Sequence, residues 1–117
     1  MGMKPRVKPS PRYDEALVER IRVALGPRPD VSERKMFGGL AFMLGGHMTC
    51  GVNGGDLMAR VGPEQYGEAL DEPDARPMDF TGRPLKGFVY VSGAIDDQRL
   101  ATWVERCVRF TSSLPPK

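Results

Sequence analysis

His47 and Cys50 are the residues in this sequence whose types most readily suggest catalysis or metal binding, with a second cysteine, Cys107, far along the chain. A thiol–imidazole dyad needs its members within hydrogen-bond reach, and a structural zinc site needs four ligands in clustered pairs. Within one extended strand, His47 and Cys50 are expected on opposite faces and about 10 Å apart. One histidine and two separated cysteines lack metal-ligand spacing, so no metal is expected. Asp71, Glu72 and Asp74 surround Pro73 and read as a helix-ending loop. Asp96 and Asp97 read as a helix start, where carboxylates complement the dipole. General acid–base work needs two such groups facing one pocket, which linear spacing does not show. No catalytic residue is assigned, and the chain is read as a non-enzyme.

Charge offers a second kind of chemistry. Arg34, Lys35, Arg83 and Lys86 all stand in or beside segments that connect strands. Cations near glycine-bearing turns can meet an anion or an acidic partner surface. The competing reading is of surface side chains lying along apolar neighbours with their charges in water.

The twenty residues from Met36 to Gly55 contain no Asp, Glu, Lys or Arg, and seven of them are glycine. A membrane helix of that length would carry a cost of about 1 kcal/mol per glycine relative to alanine. A phosphate loop is also a poor fit, because it requires a helix behind the glycines, with Lys-Ser/Thr at its opening in the Walker case, and here apolar runs flank each glycine pair. Hairpins fit best. Gly38-Gly39, Gly45-Gly46 and Gly54-Gly55 separate short apolar runs, and primed two-residue turns need the positive φ that glycine adopts without steric cost. Four antiparallel strands are therefore expected between about Glu33 and Val61. Leu40, Phe42 and Leu44 should share one face, with Ala41 and Met43 on the other. Apolar groups on both faces imply helices on one side and a loop, a partner or a second copy on the other, with Met43 on the less covered side.

These strands need a frame of helices. Tyr13, Leu17, Ile21, Ala24 and Leu25 recur at helical spacing, and Gly26-Pro27 ends the run. Gly62-Pro63 starts a short helix carrying Tyr66, Ala69 and Leu70. Short strands are expected at Arg76–Phe80 and Gly87–Val91. Asp96 should cap a last helix whose apolar arc holds Leu100, Trp103, Val104, Cys107, Val108, Thr111 and Leu114. The fold class is α+β, a two-layer sandwich with helices on one face of an antiparallel sheet, in the order α-β4-α-β2-α.

A chain of 117 residues with 40% hydrophobic and 27% charged residues suits one folded domain. The net charge of +2 does not by itself imply nucleic acid. The basic excess sits in residues 1–12, where Lys4, Arg6, Lys8 and Arg12 alternate with prolines. That segment reads as a flexible basic arm before a single domain spanning 13–117. The start lacks the apolar core of a signal peptide, so a cytoplasmic location and unpaired cysteines are expected.

Taken together, RKMFGGLAFMLGGHMTCGV, DLMARVGPEQY, RPMDFTGRPLKGFVYV and the Trp103-bearing helix resemble the TfoX N-terminal domain of the TfoX/Sxy family, associated with bacterial competence regulation. The resemblance runs from about Tyr13 to Pro116. Its first motif falls on Met36, Phe37, Gly38, Gly39 and Phe42. The second falls on Met78, Asp79, Phe80, Thr81, Gly82, Arg83, Pro84, Lys86 and Gly87. The resemblance implies a compact α+β domain without known enzyme activity or required cofactor. Structural roles are expected for these positions: glycines in turns, Phe37, Phe42 and Phe80 in the core, and Asp79 bonding nearby backbone donors. Full-length regulators of this type carry a second, C-terminal module, and this sequence ends at Lys117 without it. The functional expectation is a non-enzymatic regulatory or protein-interaction domain, acting on transcription machinery or pairing with a second copy. Two alternatives stand beside it: direct nucleic-acid binding through the basic arm, and a small-molecule binder or unrecognised enzyme.

Overall fold

A computed structural model describes residues 13–36, 38–79 and 82–115. The basic arm of residues 1–12, and Phe37, Phe80 and Thr81 of the two motifs, lie outside the described residues.

Helix α1 (Glu15–Leu25) starts at Asp14, whose carboxylate accepts from the backbone N–H groups of Ala16 and Leu17, and ends at Gly26 with φ 70°. Tyr13, the first residue of the helical pattern in the sequence, stands before the helix and forms an isolated bridge with Gly54. Four strands follow: β1 (Val31–Met36), β2 (Gly39–Leu44), β3 (His47–Asn53) and β4 (Asp56–Arg60). A short α2 (Tyr66–Leu70) leads to β5 (Ala75–Pro77) and β6 (Phe88–Ser92). The chain closes with α3 (Asp97–Ser112), capped by Asp96, which accepts from Arg99 N at 2.8 Å. The strands form one sheet in the order β1-β2-β3-β4-β6-β5, antiparallel throughout. This is the expected α+β class.

Glycine pairs make the turns, but only Gly45-Gly46 has positive φ at both residues; Gly39 and Gly55 lack it. Gly45 and Gly46 have φ of 59° and 87°, the double positive-φ turn that matches strand twist. Gly38 is a turn residue with φ 76°, whereas Gly39 is the first residue of β2. A Cβ on Gly39 would lie 2.0 Å from the carbonyl oxygen of Val52, so Gly39 is required by the close approach of β3 rather than by backbone conformation.

The two sheet faces carry different cores. Leu40, Phe42, Leu44, Val52, Leu57, Val89 and Val91 pack under Leu17, Ile21 and Leu25 of α1, Ala69 of α2, and Leu100, Trp103 and Val104 of α3. The opposite face contains Ala41, Met43, Met48 and Met58, closed by Met78 and by the partly buried Leu85 of the segment that precedes β6. Met36, Phe88 and Tyr90 join it, so all five methionines of the described residues gather there. Met43 is 8% exposed and Met48 5%. Of the covers expected for this face, a loop, a partner or a second copy, the chain's own loop is the one present: Met78 and Leu85 lie over it, and Met43 is part of the resulting core.

A register shift between Phe42 and Met43 corrects another expectation. Phe42 pairs with Cys50 and Met43 with Met48, which leaves Thr49 as the extra residue of a β-bulge. Thr49 and Cys50 consequently both meet the helical layer. Thr111 Oγ1 of α3 lies 2.8 Å from Thr49 Oγ1 and 2.9 Å from the carbonyl oxygen of Cys107. Each hydroxyl has one proton, so Thr111 donates to that carbonyl and accepts from Thr49. His47 also reaches the helix side, with Nε2 2.6 Å from the carbonyl oxygen of Pro115. His47 and Cys50 thus share a face, against the simple alternation rule. His47 engages the end of the last helix, while Cys50 lies fully buried.

The lateral edges of the sheet differ from its centre. β1 exposes Ser32, Glu33, Arg34 and Lys35 in succession, and β5 has three residues and ends in Pro77.

Candidate functional site

The cations singled out in the sequence do not form one cluster. In β1, Arg34 pairs with Ala41 on the methionine face and Lys35 with Leu40 on the helical face, so the two point to opposite sides of the sheet. Arg83 and Lys86 are exposed in the segment before β6. None of the four has an ion-pair partner among the described residues. Asp79 is also exposed, and the backbone donors that follow it, at Phe80 and Thr81, lie outside the described residues. Phe42 and Met78 are fully buried, as core positions should be.

Asp74, Asp96 and Asp97, three of the acidic residues singled out in the sequence, each have a partner within the fold. Asp97 pairs with Arg20 at 2.7 Å, and the same guanidinium donates to the carbonyl oxygens of Gly93 and Ile95. Asp74 pairs with Arg99, which ties β5's approach to α3. Arg22 grips Glu33 through two hydrogen bonds of 2.7 and 2.8 Å, joining α1 to β1 and holding the Glu33 carboxyl below its usual range. Cys50 and Cys107 are free and fully buried. Burial pushes both thiols up, Cys107 to about 12, so neither is a nucleophile at neutral pH.

A concave surface lies where β4 leaves the sheet. Val61 N and Gly62 N both donate to the carbonyl oxygen of Gly87, at 2.8 and 3.1 Å. Gly62 has φ 89°, and a Cβ on it would fall 2.4 Å from the ring of Phe110. Gly87 has φ 95°, and a Cβ there would meet Gly62 C at 3.1 Å. These two glycines let the end of the second motif, the Gly62-Pro63 turn and α3 pack as three layers.

The turn and α3 enclose a groove of about 390 Å³, with residues 61–65 on one wall and Arg106, Arg109 and Phe110 on the other. Arg106 lies over the ring of Trp103, 4.5 Å from its centroid, with Glu72 3.8 Å away. Arg109 is exposed and has no ion-pair partner among the described residues. Arg60, next in the chain to Val61, sits 5.4 Å from both the Phe88 and Phe110 centroids and donates to the carbonyl oxygen of Met48 at 3.2 Å. Burial lowers the Arg60 pKa, yet an arginine stays charged at neutral pH. Lys86 leads directly into Gly87 at the turn, and is the one cation from the sequence reading that borders this corner.

Guanidiniums beside an aromatic floor suit a carboxylate attached to an apolar body. Glu64 on the facing wall opposes highly charged ligands. Sequence reasoning missed Arg106 and Arg109 because both fall on the polar arc of α3, where cations usually face only water. The signal that could have found them is their i,i+3 spacing beside Phe110, together with a Gly-Pro pair to lie against it.

The family model of the TfoX N-terminal domain matches residues 24–111. No curated protein and no solved structure matches the chain. Among the described residues, no helix is long and apolar enough to cross a membrane, and no group of three His, Cys, Asp or Glu could hold a metal.

Proposed function

The chain belongs to the TfoX N-terminal domain family, and from that premise we propose that it is a non-enzymatic, competence-related regulatory domain that acts by binding a protein partner in the cytoplasm. The partner offers an acidic segment to the groove at Gly62-Pro63, with transcription machinery as the setting. The observation that carries this reading is the convergence of Arg106, Arg109 and Phe110 on one 390 Å³ groove. Carboxylates of the segment pair with the two guanidiniums, and an apolar neighbour lies on Phe110 and Pro63. Glu64 favours separated carboxylates over the continuous charge of a phosphate backbone.

The test is a titration with a synthetic Asp/Glu-rich peptide carrying one aromatic residue, followed by Trp103 fluorescence because Arg106 lies over that indole. Saturable binding that Arg109→Glu and Arg106→Glu each weaken roughly tenfold to a hundredfold supports the reading, as loss of a charge-assisted pair predicts. Peptide binding that ignores both substitutions, or no binding at low salt, overturns it. A parallel titration with duplex DNA separates the nucleic-acid reading, for which four neutralised phosphates give a log–log salt slope of roughly −3.6.

A further inference from the structure

Helices α1 and α3 lie side by side on the sheet, and their outward surface carries a feature that neither the core nor the groove uses. Val23 of α1 is 73% exposed, the one large hydrophobic side chain so exposed among the described residues. Beside it, the small side chains Ala24 and Ala101 leave two shallow depressions of about 180 and 270 Å³, which share those two alanines. The first is bounded by the Arg20–Asp97 pair. The second is bounded by Arg28 on α1 and Glu105 on α3. Arg28 uses Nε to cap the carbonyl oxygen of Leu25, and neither Arg28 nor Glu105 has an ion-pair partner among the described residues. One surface thus combines an apolar knob, holes beside it, and one unpaired charge of each sign.

We propose that this surface docks a second copy of the same chain across a two-fold axis. In such a pairing Val23 of each copy enters the depression at Ala24 and Ala101 of the other. The two-fold also sets Arg28 of one copy against Glu105 of the other, twice, which is the self-complementarity an isologous contact requires. The helices are 11 and 16 residues long, or about 16 and 24 Å, so their shared face covers roughly 300 Å². That is below the ~800 Å² per partner of a standard interface. The dimer is therefore weak and reversible, forming between about 10 µM and 1 mM.

Sedimentation equilibrium of the full chain across that range tests the proposal. Wild type self-associates, and Val23→Glu, a change at an exposed site whose fold circular dichroism verifies, is monomeric. Arg28→Glu alone and Glu105→Arg alone each weaken association, because like charges then meet twice. An equimolar mixture of those two variants associates again, since both cross-contacts become attractive in the mixed dimer. A wild type that stays monomeric at 1 mM overturns the proposal. So does a Val23→Glu variant that associates like wild type, or a mixture no stronger than its components. The acidic-peptide titration is unaffected by Val23→Glu, so failure here is distinct from failure at the groove.

Discussion

The paired glycines of the first motif look equivalent in sequence, and substituting alanine at each tests why they are there. Gly38 has φ 76°, but a methyl added to it would meet nothing within 4 Å, so Gly38→Ala costs only the left-handed conformation, about 1–2 kcal/mol. For a chain of this size that lowers Tm by roughly 5–10 °C. Gly39 has no such φ, yet its added Cβ would sit 2.0 Å from Val52 O, 3.0 Å from Val52 C and 3.1 Å from Asn53 Cα. These are backbone atoms that no rotamer change can move. Reaching the ordinary 3.4 Å contact distance requires β2 and β3 to part locally by about 1.4 Å. Such a shift stretches a ladder hydrogen bond of about 2.9 Å beyond 4 Å and breaks it. The overpacking and the lost bonds together cost about 3–5 kcal/mol, a large share of a typical domain's stability. Urea unfolding followed by Trp103 fluorescence measures both variants against wild type. Equal losses for the two, or a smaller loss at Gly39, would refute the argument that strand approach fixes the second glycine.

The buried hydroxyl pair gives a second expectation: Thr111→Val costs about 1–3 kcal/mol by stranding the Thr49 proton, Thr49→Val costs less because Thr111 still donates to the Cys107 carbonyl, and the double variant costs less than the sum, as a urea double-mutant cycle would show. A third concerns pH. The folded thiols titrate above the ordinary 9.0, Cys107 at about 12, so the unfolded chain loses protons first as pH rises. The Cys107 contribution to stability is full below pH 9 and falls through the window from about 9 to 12, by up to about 1.4 kcal/mol per pH unit, and Cys50 acts in the same direction. Urea midpoints at pH 8 and pH 10 check it, and Cys107→Ala reduces the drop. At the groove, Gly62→Ala presses on Phe110 and lowers both stability and peptide affinity, whereas Arg83→Glu, outside the groove, leaves affinity within about twofold, as calorimetry would read.

Much of the fold was legible because its signals are local. Glycine pairs mark three hairpins, alternation separates Phe42 from Met43, and the arc from Leu100 to Thr111 defines α3. What was not legible depends on contacts distant in sequence. The bulge at Thr49 is fixed by pairing with Phe42 and Met43 and by the hydroxyl of Thr111, so no rule confined to β3 could turn His47 and Cys50 to one face. Coverage of the methionine face depends on where Met78 and Leu85 come to rest, which spacing alone does not state. The groove was hidden for the same reason. Arg109 reads as a solvated cation until Gly62, 47 positions earlier, is seen against its neighbour Phe110.

The two outer strands bear on how this molecule behaves in crowded solution. A neighbour seeking to extend the sheet meets a row of mixed charge along β1, or a stub closed by the imino acid Pro77 along β5. Lateral fibril growth is therefore disfavoured at both ends, and concentrated samples should stay clear. Whatever joins this domain must come to its faces.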